Sequence, residues 1–185
     1  MVLLSAPRRE ASTAGRALTT PLAPAITPSP MSHPGEDDKP RKVLFVCLAN
    51  LCRSPMAEAL ARRWHAAEVE AASAGVAPAP ARMFPEALQL IRRRTGLDFS
   101  GHVPRFVLDC RPQDFDYIIA MDSSVFLRLC GMPQVPQDRL YGWEIADPCG
   151  LGQDAYERAA GDIESNLEQF LLNREMEKAA SARKP

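Results

Sequence analysis

No apolar stretch of the chain approaches the roughly 20 residues that a membrane-spanning helix requires, which argues against a helical membrane protein. Excess charge of either sign is also missing. The 22 Lys and Arg stand against 23 Asp and Glu, and a net charge of -1 argues against a dedicated nucleic-acid binder, which would carry a basic excess. Cysteine is sparse and odd in number: five among 185 residues, at 47, 52, 110, 130 and 149. The irregular spacing and the absence of a secretory apolar segment argue against an extracellular disulfide scaffold and for a reducing, cytoplasmic setting. A special cysteine there is chemical rather than structural. The glycine-rich loop ending in Gly-Lys-Ser/Thr is absent, so no nucleoside-triphosphate site is expected. No ligand spacing asks for a metal, no cofactor is implied, and no internal repeat is present.

Residues 1–40 differ in composition from the remainder. Seven of the 17 prolines fall there, with Ala, Ser and Thr between them, and no helical or strand period survives. Arg8, Arg9 and Arg16 faintly suggest a transit peptide, but no continuous apolar segment follows them. The reading is a disordered extension over 1–40, with Met31 as an alternative start, a folded domain over 41–178 and a flexible end over 179–185. From Arg41 the pattern changes. Val43-Leu44-Phe45-Val46 is a short continuous apolar run, as expected of a strand buried on both faces of a parallel sheet. Ser54 reads as a helix N-cap and Pro55 as the first helical residue of a segment reaching Trp64. Weaker strands are expected over Val69–Ser73 and Asp138–Tyr141, and a clear one over Asp116–Met121. Helices are expected over Pro85–Arg94 and Ser123–Leu129. Tyr156, Ala159, Ile163, Leu167 and Phe170, spaced by three and four, mark a long amphipathic C-terminal helix. Alternating strands and helices imply an α/β fold: an open, doubly wound, mostly parallel four-stranded sheet with helices on both faces. In such sheets ligands bind beyond the carboxyl ends of the strands, which directs attention to the loop after the first strand.

That loop is Cys47-Leu48-Ala49-Asn50-Leu51-Cys52-Arg53-Ser54-Pro55. Between a buried strand and a helix start, its successive backbone N–H groups form an anion cradle. The planar guanidinium of Arg53 can grip a tetrahedral oxyanion with two hydrogen bonds. An Arg and a helix N-terminus both favour the ionised form of a thiol beside them, which makes Cys47 the candidate nucleophile. Ser54 can support that sulfur with its hydroxyl. A thiolate beside a cradled phosphate is equipped for phosphoryl transfer.

Val46 to Glu58 resembles the signature of the low-molecular-weight protein tyrosine phosphatases: Cys, five residues, Arg, then Ser-Pro, near the start of the domain. Further segments are similar in order: Ser73-Ala74-Gly75, Ser100-Gly101-His102-Val103-Pro104-Arg105, Asp114 to Asp122, and Asp147-Pro148. The resemblance spans about residues 41 to 175. It implies that Cys47 forms a phosphocysteine, that Arg53 and the amides of Leu48, Ala49, Asn50, Leu51 and Cys52 bind phosphate, and that Asp147 is the general acid and then the base. It implies for Asn50, Ser54, Ser73 and His102 a supporting hydrogen-bond network. Asn suits such a loop because it tolerates a left-handed backbone. The implied substrates are phosphotyrosine-containing proteins, with no nucleic-acid or membrane partner.

The chain also departs from the family's pattern. Ala49 stands where Gly is usual, Cys149-Gly150 where an aromatic usually follows Asp-Pro, and Val76 to Arg82 is rich in Ala and Pro, with Phe84 the nearest aromatic. Leu51 fits the tyrosine phosphatases better than the arginine phosphatases, which typically carry Thr. Cys52 reads either as a packing residue or as a partner for a reversible Cys47–Cys52 disulfide. Trp64 and Trp143 read as packing residues, and Arg92-Arg93-Arg94 as a solvated helix end. The alternatives are an arsenate reductase on the same scaffold, which needs extra thiols that Cys110 and Cys130 do not obviously supply, and a weakly active phospho-binding module.

Overall fold

The computed structural model describes residues 39–181, with side chains as far as Met176. All but the last two residues of the proline-rich extension, its alternative start and its arginines lie outside the described residues, as do residues 182–185 at the other end. Four strands, β1 (Arg41–Cys47), β2 (Val69–Gly75), β3 (Tyr117–Ala120) and β4 (Leu140–Gly142), form one sheet in the order β2-β1-β3-β4. All three pairings are parallel. Helices α1 (Arg53–Trp64), α2 (Pro85–Thr95), α3 (Ser123–Cys130) and α4 (Gln153–Ser181) connect and cover the strands. Among the described residues no helix is long and apolar enough to cross a membrane.

The apolar run in β1 behaves as its composition demands. Val43, Leu44, Phe45 and Val46 are all buried, and alternation sends them to opposite faces of the sheet. Val43, Phe45 and Cys47 join a core with Met56 and Leu60 of α1, Leu90 and Ile91 of α2, and Tyr156 and Ile163 of α4. Leu44 and Val46 join the other core, with Ile118, Val125, Leu129 and Leu140. From Ala71 onward β2 is made of small residues, Ala-Ala-Ser-Ala-Gly, and α1 packs against it.

Chain order reverses at β1: α1 leads outward to β2, whereas α2 carries the chain back across to β3. The carboxyl ends of β1 and β3 therefore open side by side, the place where such sheets bind ligands. Two surface expectations need correction. Trp64 is 54% exposed, with the Arg63 guanidinium 4.6 Å from its ring centre, because it ends α1 beyond the packed turns. The arginines ending α2 are not a purely solvated group. Arg94 donates to Glu157 and Glu164 of α4, and Arg93 pairs with Glu157, tying the two helices together.

Candidate active site

Cys47 is the last residue of β1 and is buried, directly opposite Gly75 on β2. The loop from Leu48 to Cys52 folds back over that glycine. A Cβ at Gly75 would stand 2.8 Å from the Leu48 carbonyl oxygen and 3.0 Å from the Asn50 nitrogen, so any side chain there would push the loop off the sheet. The loop is then pinned by backbone bonds from Val76 N to Cys47 O (3.1 Å) and from Ala77 N to Leu48 O (2.9 Å).

Asn50 is the turning point. Its φ is 59°, in the left-handed region that Asn adopts more readily than most residues. Ala49, where a glycine would be usual, is not among the positive-φ residues. The left-handed turn falls one residue later, so the alanine carries no such strain. The Asn50 side chain, fully buried, donates to Ser54 Oγ and Ser73 Oγ at 3.0 Å each and accepts from Arg105 N at 3.0 Å. Outside it, His102 Nε2 lies 3.0 Å from the Asn50 carbonyl and donates to it, since a carbonyl oxygen only accepts. Burial holds the His102 ring below its ordinary pKa, opposed by the pull of that carbonyl and of Glu58.

Ser54 does not cap α1. The helix begins at Arg53, its N-cap position is Cys52, and no side chain caps it. The Ser54 hydroxyl is instead turned inward, 3.1 Å from Cys47 Sγ, 3.1 Å from the Ala74 carbonyl and 3.0 Å from Asn50 Nδ2. Asn50 Nδ2 can only donate, so the hydroxyl keeps one proton for either the sulfur or the carbonyl. The Asn50 amide also donates to the sulfur at 3.3 Å. The sulfur therefore has the Asn50 backbone amide as its fixed donor and the Ser54 hydroxyl as a partner that can turn toward it. Ser73 Oγ donates to Glu58 Oε2, and that buried side chain is held by Arg62 at 2.6 Å, four residues along α1.

The opposite wall comes from the ends of β3 and β4. Arg53 Nη1 donates to Asp122 Oδ2 at 2.7 Å and to the Ile145 carbonyl at 3.0 Å, and Nη2 to Asp147 Oδ2 at 3.3 Å. Its Nε is buried and has no partner among the described residues. Burial would weaken the charge on Arg53, but Asp147, Cys47 and Asp122 outweigh it and hold the guanidinium protonated. Burial would likewise raise the Asp122 carboxyl; hydrogen bonds from Ser124, the Val125 amide and Arg53 hold it below its usual range. Asp147 is half-exposed, and its Oδ1 accepts from the Cys149 amide at 3.3 Å and lies 3.9 Å from Cys52 Sγ. Burial, with Cys47 and Asp147 nearby, pushes the Cys52 thiol up to about 12. Leu48, Arg53, Asp122, Glu144 and Asp147 line a cleft of about 490 Å³ between the walls.

The comparisons with known proteins agree with this geometry. The sequence model of the "low molecular weight phosphotyrosine protein phosphatase" family matches residues 42–182. The chain belongs to that family. Within the low-molecular-weight phosphatases, it is 46% identical over 88 residues to the low molecular weight protein-tyrosine-phosphatase YfkJ of Bacillus subtilis, a match covering 44% of this chain and 56% of YfkJ. The crystal structure of YfkJ superposes with a TM-score of 0.63 at 32% identity, covering 75% of this chain and 97% of that one. Two relatives of other named activity lie close by. The glutaredoxin arsenate reductase of Synechocystis is 27% identical over 135 residues, 71% of this chain and 96% of the relative. The arginine phosphatase YwlE of Geobacillus stearothermophilus has a TM-score of 0.66 at 25% identity, covering 76% of this chain and 97% of YwlE.

The structure gathers the expected residues into two groups. Cys47, Asn50, Ser54, Ser73 and His102 share one continuous network. Arg53 and Asp147 meet across the cleft, with Cys52 beside them. Leu48, 41% exposed, lines the cleft, and Leu51 is buried. Two functional residues were missed from sequence. Asp122 anchors Arg53, and its signal was its place at the carboxyl end of β3, next to β1. Glu58 anchors Ser73, and its signal was the four-residue spacing to Arg62 on a helix already identified.

Proposed function

We propose that the chain hydrolyses phosphomonoesters, phosphotyrosine in proteins above all, through a phosphocysteine at Cys47. The Cys47 thiolate attacks phosphorus in line. An S–P bond forms as the P–O bond to the tyrosyl oxygen breaks, and the departing phenolate takes a proton from Asp147. Water then attacks the phosphocysteine, giving its proton back to Asp147. The S–P bond breaks, releasing inorganic phosphate and the thiolate. Arg53 and the amides of Leu48 to Arg53 would hold the equatorial oxygens, whose charge must be stabilised throughout. Ser54 and Asn50 hold the sulfur in both states. Cys47 must stay a reduced thiol between cycles, which favours a reducing compartment such as the cytoplasm.

One observation carries this reading: a buried Arg53 whose Nε is unpartnered, at the end of a loop whose Asn50 amide donates to the Cys47 sulfur. An uncompensated buried N–H is costly, and a phosphate oxygen would satisfy it. The arsenate-reductase alternative needs further thiols delivered to Cys47. Cys110 packs among the residues of the second core, and Cys130 is exposed at the far end of α3, which runs away from the carboxyl ends of the strands.

Two measurements test the proposal. Cys47→Ser should lower turnover of para-nitrophenyl phosphate by at least about three orders of magnitude while leaving vanadate binding; a variant that still turns over normally would remove the nucleophile. A steady-state comparison of phosphotyrosine, phosphoserine and phosphoarginine peptides should give the highest kcat/KM on phosphotyrosine. A preference for phosphoarginine would transfer the chain to the other branch.

A further inference from the structure

The nucleophilic mechanism leaves one buried thiol of the cleft without a task. Cys52 is 6% exposed, and its sulfur faces Asp147. We propose that Cys52 is a positioning residue for the acid: its S–H, with the Cys149 amide, occupies one oxygen of Asp147 so that the transferable proton sits on the other. The proposal rests on the reading of Asp147 as the general acid.

The distribution of donors supports it. Asp147 Oδ1 accepts from Cys149 N at 3.3 Å and faces Cys52 Sγ at 3.9 Å, whereas Oδ2 accepts only from Arg53 Nη2, at 3.3 Å. A carboxylate oxygen offers two lone pairs, so Oδ1 is filled and Oδ2 is not. When a phosphate arrives, the Nε–Nη2 edge of Arg53 is the edge available to it, because Nη1 is already committed to Asp122 and the Ile145 carbonyl. Nη2 then turns from Asp147 to the phosphate. Oδ2 is left bare while Oδ1 keeps both donors, and a proton taken up by the carboxyl belongs on Oδ2, the oxygen that faced Arg53. Cys52 can donate only as a thiol. Its burial beside two negative groups keeps it protonated at neutral pH. Removing the S–H frees a lone pair on Oδ1, and the proton then divides between a productive and an unproductive oxygen.

S–H···O contacts are weak, so the effect is modest and specific to leaving groups that need a proton. The test measures kcat/KM, which reports P–O cleavage, for para-nitrophenyl phosphate (a good leaving group) and phenyl phosphate (a poor one). Cys52→Ala should lose about threefold to tenfold more on phenyl phosphate than on para-nitrophenyl phosphate. Cys52→Ser, which restores a donor, should keep the wild-type ratio. In an Asp147→Asn background the alanine effect should vanish. Should the alanine variant not fold, Cys52→Val, equally without a donor, takes its place. An unchanged ratio in the donor-less variant, whether rates are normal or uniformly reduced, overturns the proposal, as does an altered ratio in Cys52→Ser or an effect that persists in Asp147→Asn. If Asp147→Asn itself shows no dependence on leaving group, the acid assignment fails instead, and the experiment separates the two.

Discussion

On the β1–β2 side of the cleft the polar side chains are buried and bonded to one another. Asn50, Ser54 and Ser73 are all 0% exposed, and each has at least two partners within 3.1 Å. On the β3–β4 side Asp147 stands half in solvent, on a loop whose Gly150 and Gly152 both have left-handed backbones, and its contacts are longer, at 3.3 to 3.9 Å. The contrast follows from what each side must do. A phosphate and a sulfur have to be met by donors already in place, since reorganising them during the reaction would cost much of the gain. Asp147, in its proposed role as acid, has to serve a leaving oxygen first and a water second, at different positions. One wall is built to stay and the other to adjust.

The sharpest way to test this division is to disturb each wall and read both rate and stability. Asp147→Asn keeps the shape of the adjustable wall and removes its proton. It should lower kcat/KM for phenyl phosphate by about 10² to 10³ and for para-nitrophenyl phosphate much less, while stability changes by less than about 0.5 kcal/mol. A large loss of stability would mean that the acid loop is part of the frame. Asn50→Ala does the opposite. It strands two hydroxyls and an amide and leaves an alanine at positive φ, for a loss of about 2 to 4 kcal/mol in denaturant unfolding. If stability is untouched while rate falls, the network orients the loop without holding it, and the contrast between the walls weakens.

Much of this arrangement was legible in the chain. The apolar run of β1 and the Cys-to-Arg loop after it are local features, set by residues a few positions apart, and the alternation of strands and helices fixed the parallel sheet through general topology. What could not be read was set at long range. The hydroxyl of Ser54 is as good an N-cap as any in sequence, but the cysteine seven residues back and the Ala74 carbonyl compete for it and win. Asp122 lies 69 residues from the arginine it anchors. The triple arginine at the end of α2 looked solvated because its partners sit on α4, more than 60 residues away. The proline-rich extension offered no period from which any fold could be argued.

The smallest expected effect probes the outer edge of the rigid wall. His102 donates from Nε2 to the Asn50 carbonyl, and Glu58, Arg105 and Arg62 stand near enough to act on its charge. Burial lowers its pKa in the folded state, whereas in the unfolded chain it titrates near 6.5. Below about 6.5 the unfolded chain therefore binds more proton than the folded one, and the stability present above that value is lost as the pH falls toward the folded pKa. Unfolding by denaturant at pH 7.5 and at pH 5.5 should show the protein less stable at the lower value. In His102→Gln that difference should shrink. An amide can still donate to Asn50 but has no proton to gain, so a His102→Gln variant with the full wild-type pH dependence would place the titrating group elsewhere and leave His102 a plain hydrogen-bond donor at the rim of the frame.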